Sequence, residues 1–181
     1  MKKIIVLTSL IFCATFATFA QRFAYVNTEY ILGNIPEYND AQKQIDKLVQ
    51  DWKAEAEKRQ KEIDDAYKSY QNEQYLLTED QKKTKMQAIE QKEKDLKQFQ
   101  QDKFGYQGEL FQKRQELIKP IQDKVYDAIQ KMATERNYDF VFDKASSTAI
   151  LYADIKNDKS DDILKAMGYT PQQKTTKTGN N

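Results

Sequence analysis

Apolar residues fall at Tyr38, Ala41, Ile45, Leu48 and Trp52, in steps of three, four, three and four. That spacing keeps one stripe of a helix facing a partner helix, as in a coiled coil. The stripe takes one extra four-residue step to Ala56, then continues through Ile63, Ala66 and Tyr70 to Leu77, weakened by Arg59 and Glu73. The extra step is a stutter that locally unwinds a supercoil. A second helical pattern follows, through Met86, Ile89, Leu96, Phe99, Tyr106, Leu110, Leu117 and Ile121. Its closing stripe is Ile118, Ile121, Val125, Ala128, Ile129 and Met132.

Between the two patterns stands Tyr75-Leu76-Leu77-Thr78-Glu79-Asp80-Gln81. Thr followed three residues later by Gln is a capping box, so the second helix starts at Thr78. A short connection makes the two helices antiparallel neighbours. Folding back at Thr78 brings Pro36 and Pro120 to one height, since each lies 42 residues away. Proline starts a helix readily and disrupts one from inside. The pair therefore divides a helical arm, residues 37–119 with its tip near 75–78, from a body built of residues 21–36 and 120–169. At 1.5 Å per residue the arm is roughly 60 Å long. Leu76 and Leu77 are expected to clip the helices together at the tip or to touch a bound partner. Gly105 and Gly108 lie inside the second helix, level with Leu48 to Trp52. They either make room for the indole or mark a bend.

The ends read differently. Phe23-Ala24-Tyr25-Val26 is a β-prone run. Thr28 is expected to cap a short helix over 29–32, closed by Gly33, and Asn34 to cap the long helix with Pro36 in its first turn. Beyond Met132, Asn137 is a candidate left-handed C-cap. Residues 138–142 and 148–152 predict an antiparallel hairpin, and Ser160 caps a last helix over 161–167, closed by Gly168. Residues 170–181 are polar and read as a disordered tail. So little sheet is not stable alone. The aromatic strands predict burial in an oligomer, through Phe23, Tyr25, Val26, Phe140, Val141, Phe142, Leu151 and Tyr152.

The chain opens Met1-Lys2-Lys3, runs apolar to Phe19 and reaches Ala20. That is the form of a secretory signal peptide cleaved after Ala20, and at about 16 residues the apolar run is too short for a membrane span. Without residues 1–20 the chain carries 27 basic and 28 acidic residues, which gives no strong pull on nucleic acid. It also has no histidine and no cysteine, since Cys13 lies in the leader. Nitrogen- or sulfur-ligated metal sites and His- or Cys-based nucleophilic triads are thereby excluded. None of the five glycines builds a phosphate loop. No enzyme and no cofactor are expected.

The order of parts, FAYVNTEYIL, a long helical hairpin, ELIKPIQDKVYDAIQKMATERNYDFVFD, ILYA and DDILKAMG, resembles the Skp/OmpH family of periplasmic chaperones for outer-membrane proteins. The resemblance implies a mainly helical α+β chain assembled as a jellyfish-shaped homotrimer. Three arms would enclose unfolded β-barrel precursors without ATP, with transient contact to the membrane or the outer-membrane assembly machinery. Candidate client contacts are Tyr67, Tyr70, Tyr75, Leu76, Leu77 and Phe99. Familiar members are basic and this chain is near neutral. Its cluster of Lys82, Lys83 and Lys85 past the tip is either a solvated helix start or a contact for acidic clients or lipopolysaccharide. The alternative function is a structural coiled-coil adaptor of the envelope.

Overall fold

The computed structural model describes residues 21–146 and 150–172. The expected signal peptide, residues 148 and 149 of the expected second hairpin strand, and most of the expected tail lie outside the described residues. The fold is mainly helical, with one small parallel sheet. Strand β1, Phe23–Val26, leads into α1, Thr28–Gly33, and α2, Pro36–Glu73. A 3₁₀ turn, Gln74–Leu76, reverses the chain into α3, Glu79–Phe104. The return path continues as α4, Glu109–Leu117, and α5, Lys119–Glu135. Strand β2, Phe140–Asp143, a 3₁₀ turn at Ile155–Asn157 and α6, Ser160–Ala166, complete the body.

The fold-back lies where the capping box predicts it. Thr78 Oγ1 accepts from Gln81 N at 3.4 Å, and Thr78 N donates to Gln81 Oε1 at 3.0 Å. Two antiparallel helices of this length make an arm of roughly 57 Å, the rise of the 38 residues of α2. Cross-arm partners sit nearly level about Thr78. Trp52 and Phe104, each 26 residues away, meet edge to face at 5.8 Å. Pro36 opens α2 and Pro120 stands in the first turn of α5, where neither removes a needed hydrogen bond.

The return path departs from one continuous helix. It is interrupted at Gly105–Gly108, and one helix gives way to the next at Ile118. The glycines do not make room for Trp52. A Cβ on Gly105 would stand 2.4 Å from the carbonyl oxygen of Gln101, and one on Gly108 2.8 Å from that of Asp102. Each glycine faces the backbone of its own preceding turn. Tyr106, expected in the seam, is thrown outward by the interruption and is 94% exposed.

In the body, β1 pairs with β2 in parallel, with Phe23 opposite Phe140 and Val26 opposite Asp143. Its other edge is held by Lys159 N, which donates to Tyr25 O at 2.9 Å. The expected antiparallel hairpin is therefore not the sheet that forms. Residues 150–154 have no strand assignment, and the partner of β2 is β1, more than a hundred residues away. Alternation puts Val26 and Val141 on a core shared with Ile31, Ile35, Val125, Met132, Ile163 and Leu164.

Local capping explains where the body's elements stop. Asn27, not Thr28, caps α1 by accepting from Tyr30 N at 2.9 Å. Thr28 instead gives its N–H and hydroxyl to Asp143, at 3.1 and 2.7 Å, tying α1 to the end of β2. Asn34 is the C-cap of α1, and Ile35 stands at the N-cap of α2 without a side-chain bond. Asn137 does adopt the left-handed conformation, with φ 51°. Tyr138 N then reaches Ala133 O at 2.9 Å and Asn137 N reaches Thr134 O at 3.3 Å, a complete Schellman closure. Gly168, φ 87°, closes α6 in the same way. Ser160 begins α6 rather than capping it. It is fully buried, and its hydroxyl accepts from Asn27 N at 2.9 Å while donating to Asp158 Oδ1 at 2.6 Å.

Two measurements follow from these contacts. Ser160→Ala strips the Asn27 amide of its buried acceptor and lowers unfolding stability by about 1–3 kcal/mol, read by chemical denaturation. Burial, then the hydrogen bond and charge of Asp161, push the Tyr30 phenol from 10.0 up to about 12. The neutral phenol thus favours the folded state fully below pH 10, and that contribution is lost as pH rises toward about 12. In alkaline unfolding curves, Tyr30→Phe removes the part of the decline between those values.

Candidate functional site

Large apolar side chains reach solvent in two groups, besides Tyr106, Phe111 and Tyr126 on the return path. The first is the outer face of the sheet. Successive strand residues alternate sides, so Phe23, Phe140 and Phe142 share the face opposite the core. Phe23 stacks on Phe140 with centroids 5.7 Å apart and on Phe142 at 6.3 Å, and all three remain exposed. Beside them a groove of about 580 Å³ runs between Phe23, Tyr25, Phe142 and the segment Ile150 to Asp154. Leu151 and Tyr152 in that segment are 98% and 85% exposed. Of the eight residues expected in an oligomer body, Phe23, Phe140, Phe142, Leu151 and Tyr152 thus crowd one open apolar surface. Tyr25 and Val26 are instead buried within the chain, and Val141 packs on the core.

The second surface is the arm tip. Tyr75 and Leu76 occupy the 3₁₀ turn and are 77% and 74% exposed, so Leu76 does not clip the helices. Leu77 is half-buried. Charged groups tie the tip instead. Lys85 bridges from α3 to Glu73 on α2, and the hydrogen bonds from Lys85 and then Ser69 hold the Glu73 carboxyl below its ordinary range. In the lysine cluster, Lys82 pairs within its own turn with Glu79 at 2.7 Å.

The remaining candidates belong to the seam. Tyr67 and Tyr70 pack beside the buried trio Ile63, Ile89 and Leu96. The Tyr67 hydroxyl donates to Glu93 Oε1 at 3.1 Å, which raises the phenol's pKa. Phe99 lies under the Arg59 guanidinium, 4.3 Å from ring centroid to charge centre. Arg59 and Phe99 therefore meet across the arm, and the polar residue on the stripe earns its place by stacking. Nearer the body, Val49 rather than Leu48 packs with Ala41, Ile45 and Ile118. Sequence spacing does not find the stacked phenylalanines as a set. They come from two strands far apart in sequence, and only their pairing register brings them together.

Among the described residues no cluster of His, Cys, Asp or Glu is arranged to hold a metal ion. No helix there is long and apolar enough to cross a membrane.

The profile of the family described as outer membrane protein (OmpH-like) matches residues 22–167. The chain belongs to that family. This OmpH-like chain also shares its fold with the crystal structure of a protein from Caulobacter crescentus CB15, described as a candidate outer membrane chaperone (OmpH-like). The TM-score is 0.62 at 12% identity, over 87% of this chain and 94% of that one. At that identity the likeness establishes architecture alone. No curated protein matches the sequence.

The division between seam and tip gives a paired test. Ile89→Ala opens a cavity in the distal cluster and costs the arm about 2–5 kcal/mol. Leu76→Ser leaves arm melting, followed by circular dichroism, within about 0.5 kcal/mol, as expected for an exposed site.

Proposed function

We propose that the chain is an ATP-independent holdase chaperone of the periplasm, exported by its cleaved leader, that keeps unfolded outer-membrane β-barrel proteins from aggregating. The observation that carries this reading is the family match over residues 22–167. The geometry favours it as well, since an arm of packed helices projects from a body whose aromatic sheet face is left open. That face, with Leu151 and Tyr152, fits association of three copies, which would cover an apolar surface that a solitary chain leaves wet. Three arms fixed at one body would then surround a cavity.

Capture without nucleotide rests on reversible contacts. Tyr75 and Leu76 are the two arm candidates free to make them; Tyr67, Tyr70 and Phe99 act by holding the helices together. No acid–base pair or nucleophile is assigned, because none is needed to hold a chain by weak apolar contact.

The test is aggregation of an unfolded porin-like protein on dilution from denaturant. Suppression without nucleotide, saturating at one client per three chains, is the expected result, with a native mass of three chains. Phe140→Asp should yield monomers and abolish suppression. Tyr75→Ser with Leu76→Ser should weaken suppression while arm melting is unchanged. Undiminished aggregation beside a trimeric wild-type protein would overturn the reading. Capture of one folded envelope partner in fixed ratio would favour a coiled-coil adaptor instead.

A further inference from the structure

The exposed Tyr75 and Leu76 of the tip stand among charged side chains of both signs. Glu73, Glu79 and Asp80 stand against Lys82, Lys83 and Lys85, so the segment 73–85 carries no net charge. Beyond it, Lys68 on α2 and Glu90 on α3 add one charge of each sign. Contacts build the balance as well as numbers. Lys85 bridges from α3 to Glu73 Oε2, and Ser69 Oγ donates to Glu73 Oε1 at 2.7 Å. Lys82 Nζ lies 2.7 Å from Glu79 Oε1. These bonds hold the Glu73 carboxyl below its ordinary range and raise the pKa of Lys82, so both keep their charge near neutral pH.

The helix ends add no net field. The negative end of α2 and the positive end of α3 meet at this turn and oppose each other. Exposed ion pairs contribute only about 0–1 kcal/mol to folding. Stability is therefore a weak reason for a carboxylate at Glu73, a position on the apolar stripe. The effect on the surrounding field is larger, since clustered lysines without acids would attract anionic segments from solution. From Glu79 to Lys85 the helix rises roughly 9 Å, close to the Debye length of about 8 Å at physiological salt. An approaching chain thus meets the acids and the lysines together, as one neutral surface around two apolar side chains.

We propose that Glu73, Glu79 and Asp80 are specificity-determining residues of the tip. They cancel the lysine cluster, so that Tyr75 and Leu76 select unfolded polypeptide by its apolar side chains and not by its charge. Attraction by bare lysines would favour acidic segments and fade as salt rises. Apolar contact carries no such preference, and segments of either sign are held alike. The lysine cluster is then neither an anion site nor a chance feature of a helix start. Its charges are matched by the acids that cap and tie the turn. This inference rests on the holdase reading and names what the tip discriminates.

Two unfolded peptides with one shared apolar sequence, flanked by glutamates in one and by lysines in the other, test it. Their binding to the purified protein is followed by fluorescence anisotropy between about 0.05 and 0.5 M salt. The wild-type protein should bind both with affinities within about twofold of each other across that range. Tyr75→Ser with Leu76→Ser should weaken both alike. Glu79→Gln with Asp80→Asn leaves the bridge from Lys85 to Glu73 in place. It should tighten the acidic peptide about three- to tenfold at low salt and lose that gain at high salt. Glu73→Gln should act in the same direction, with arm melting as the check that the helices stay joined. A wild-type preference for the acidic peptide that fades with salt would overturn the proposal. So would an acidic peptide indifferent to Glu79→Gln with Asp80→Asn. Failure of the wild-type protein to bind either peptide would remove the holdase reading, and this inference with it.

Discussion

The parallel pairing of β1 with β2 is the constraint on which the rest of the chain depends. Antiparallel strands can be joined by a tight turn, but parallel ones need a crossover that carries the chain back to the starting end. Here that crossover is the whole helical hairpin, from Val26 to Phe140. The arm leaves the body through α1 and returns through α5, and both helices pack on the core that β1 shares with α6. Anything between those fixed ends can project into solvent, because the sheet register closes the loop. Asp143 reinforces the closure by bonding Thr28 just beyond the paired residues.

Much of the arm was legible because its signals are local. A heptad stripe, a capping box and two prolines are read from neighbouring residues, and each needs only helix geometry to be understood. The Thr78 reversal follows directly, and counting from it places the Gly105 region level with Trp52, where the structure seats Phe104. The body was less legible for the opposite reason. Phe140–Asp143 and the ILYA segment look like two strands of a hairpin when only adjacent residues are weighed. β1 competes from across the arm, with Ala24 and Val26 aimed at the same core as Val141. Tertiary pairing prevailed over local proximity, and no period in the sequence signals a partner that distant. The same holds for Arg59, which weakens the stripe by polarity yet is placed by the ring of Phe99 facing it.

The arm also shows what limits a structure of only two helices. Its seam buries few large aliphatic residues, chiefly Ile63, Ile89 and Leu96 in the distal half. The remaining ties are exposed ion pairs such as Lys92 with Glu62 at 3.1 Å, worth about 0–1 kcal/mol each, and cation–ring contacts. These terms are weak and tolerant of small displacements, unlike a close-packed core. An arm built from them can change shape locally without unfolding the body, whose residues Ile31, Ile163 and Leu164 are completely buried. Stability and compliance are thus assigned to different parts of the chain.

That assignment bears on where apolar surface can be left uncovered. Tyr75 and Leu76 stand at the free end of a compliant element, held by a turn and a salt link rather than by a core. Phe23, Phe140 and Phe142 stand on the most constrained element, stacked in fixed register. A movable apolar tip suits contacts with partners of varied shape, since its position adapts at little cost. A rigid aromatic face suits one repeated partner, since ordering it again on association costs little entropy. The tip and the sheet face are therefore not equivalent, although residue type alone would class them together. On the proposed function, the stiffness of the element beneath each one suits the tip to adaptable contact and the sheet to self-association.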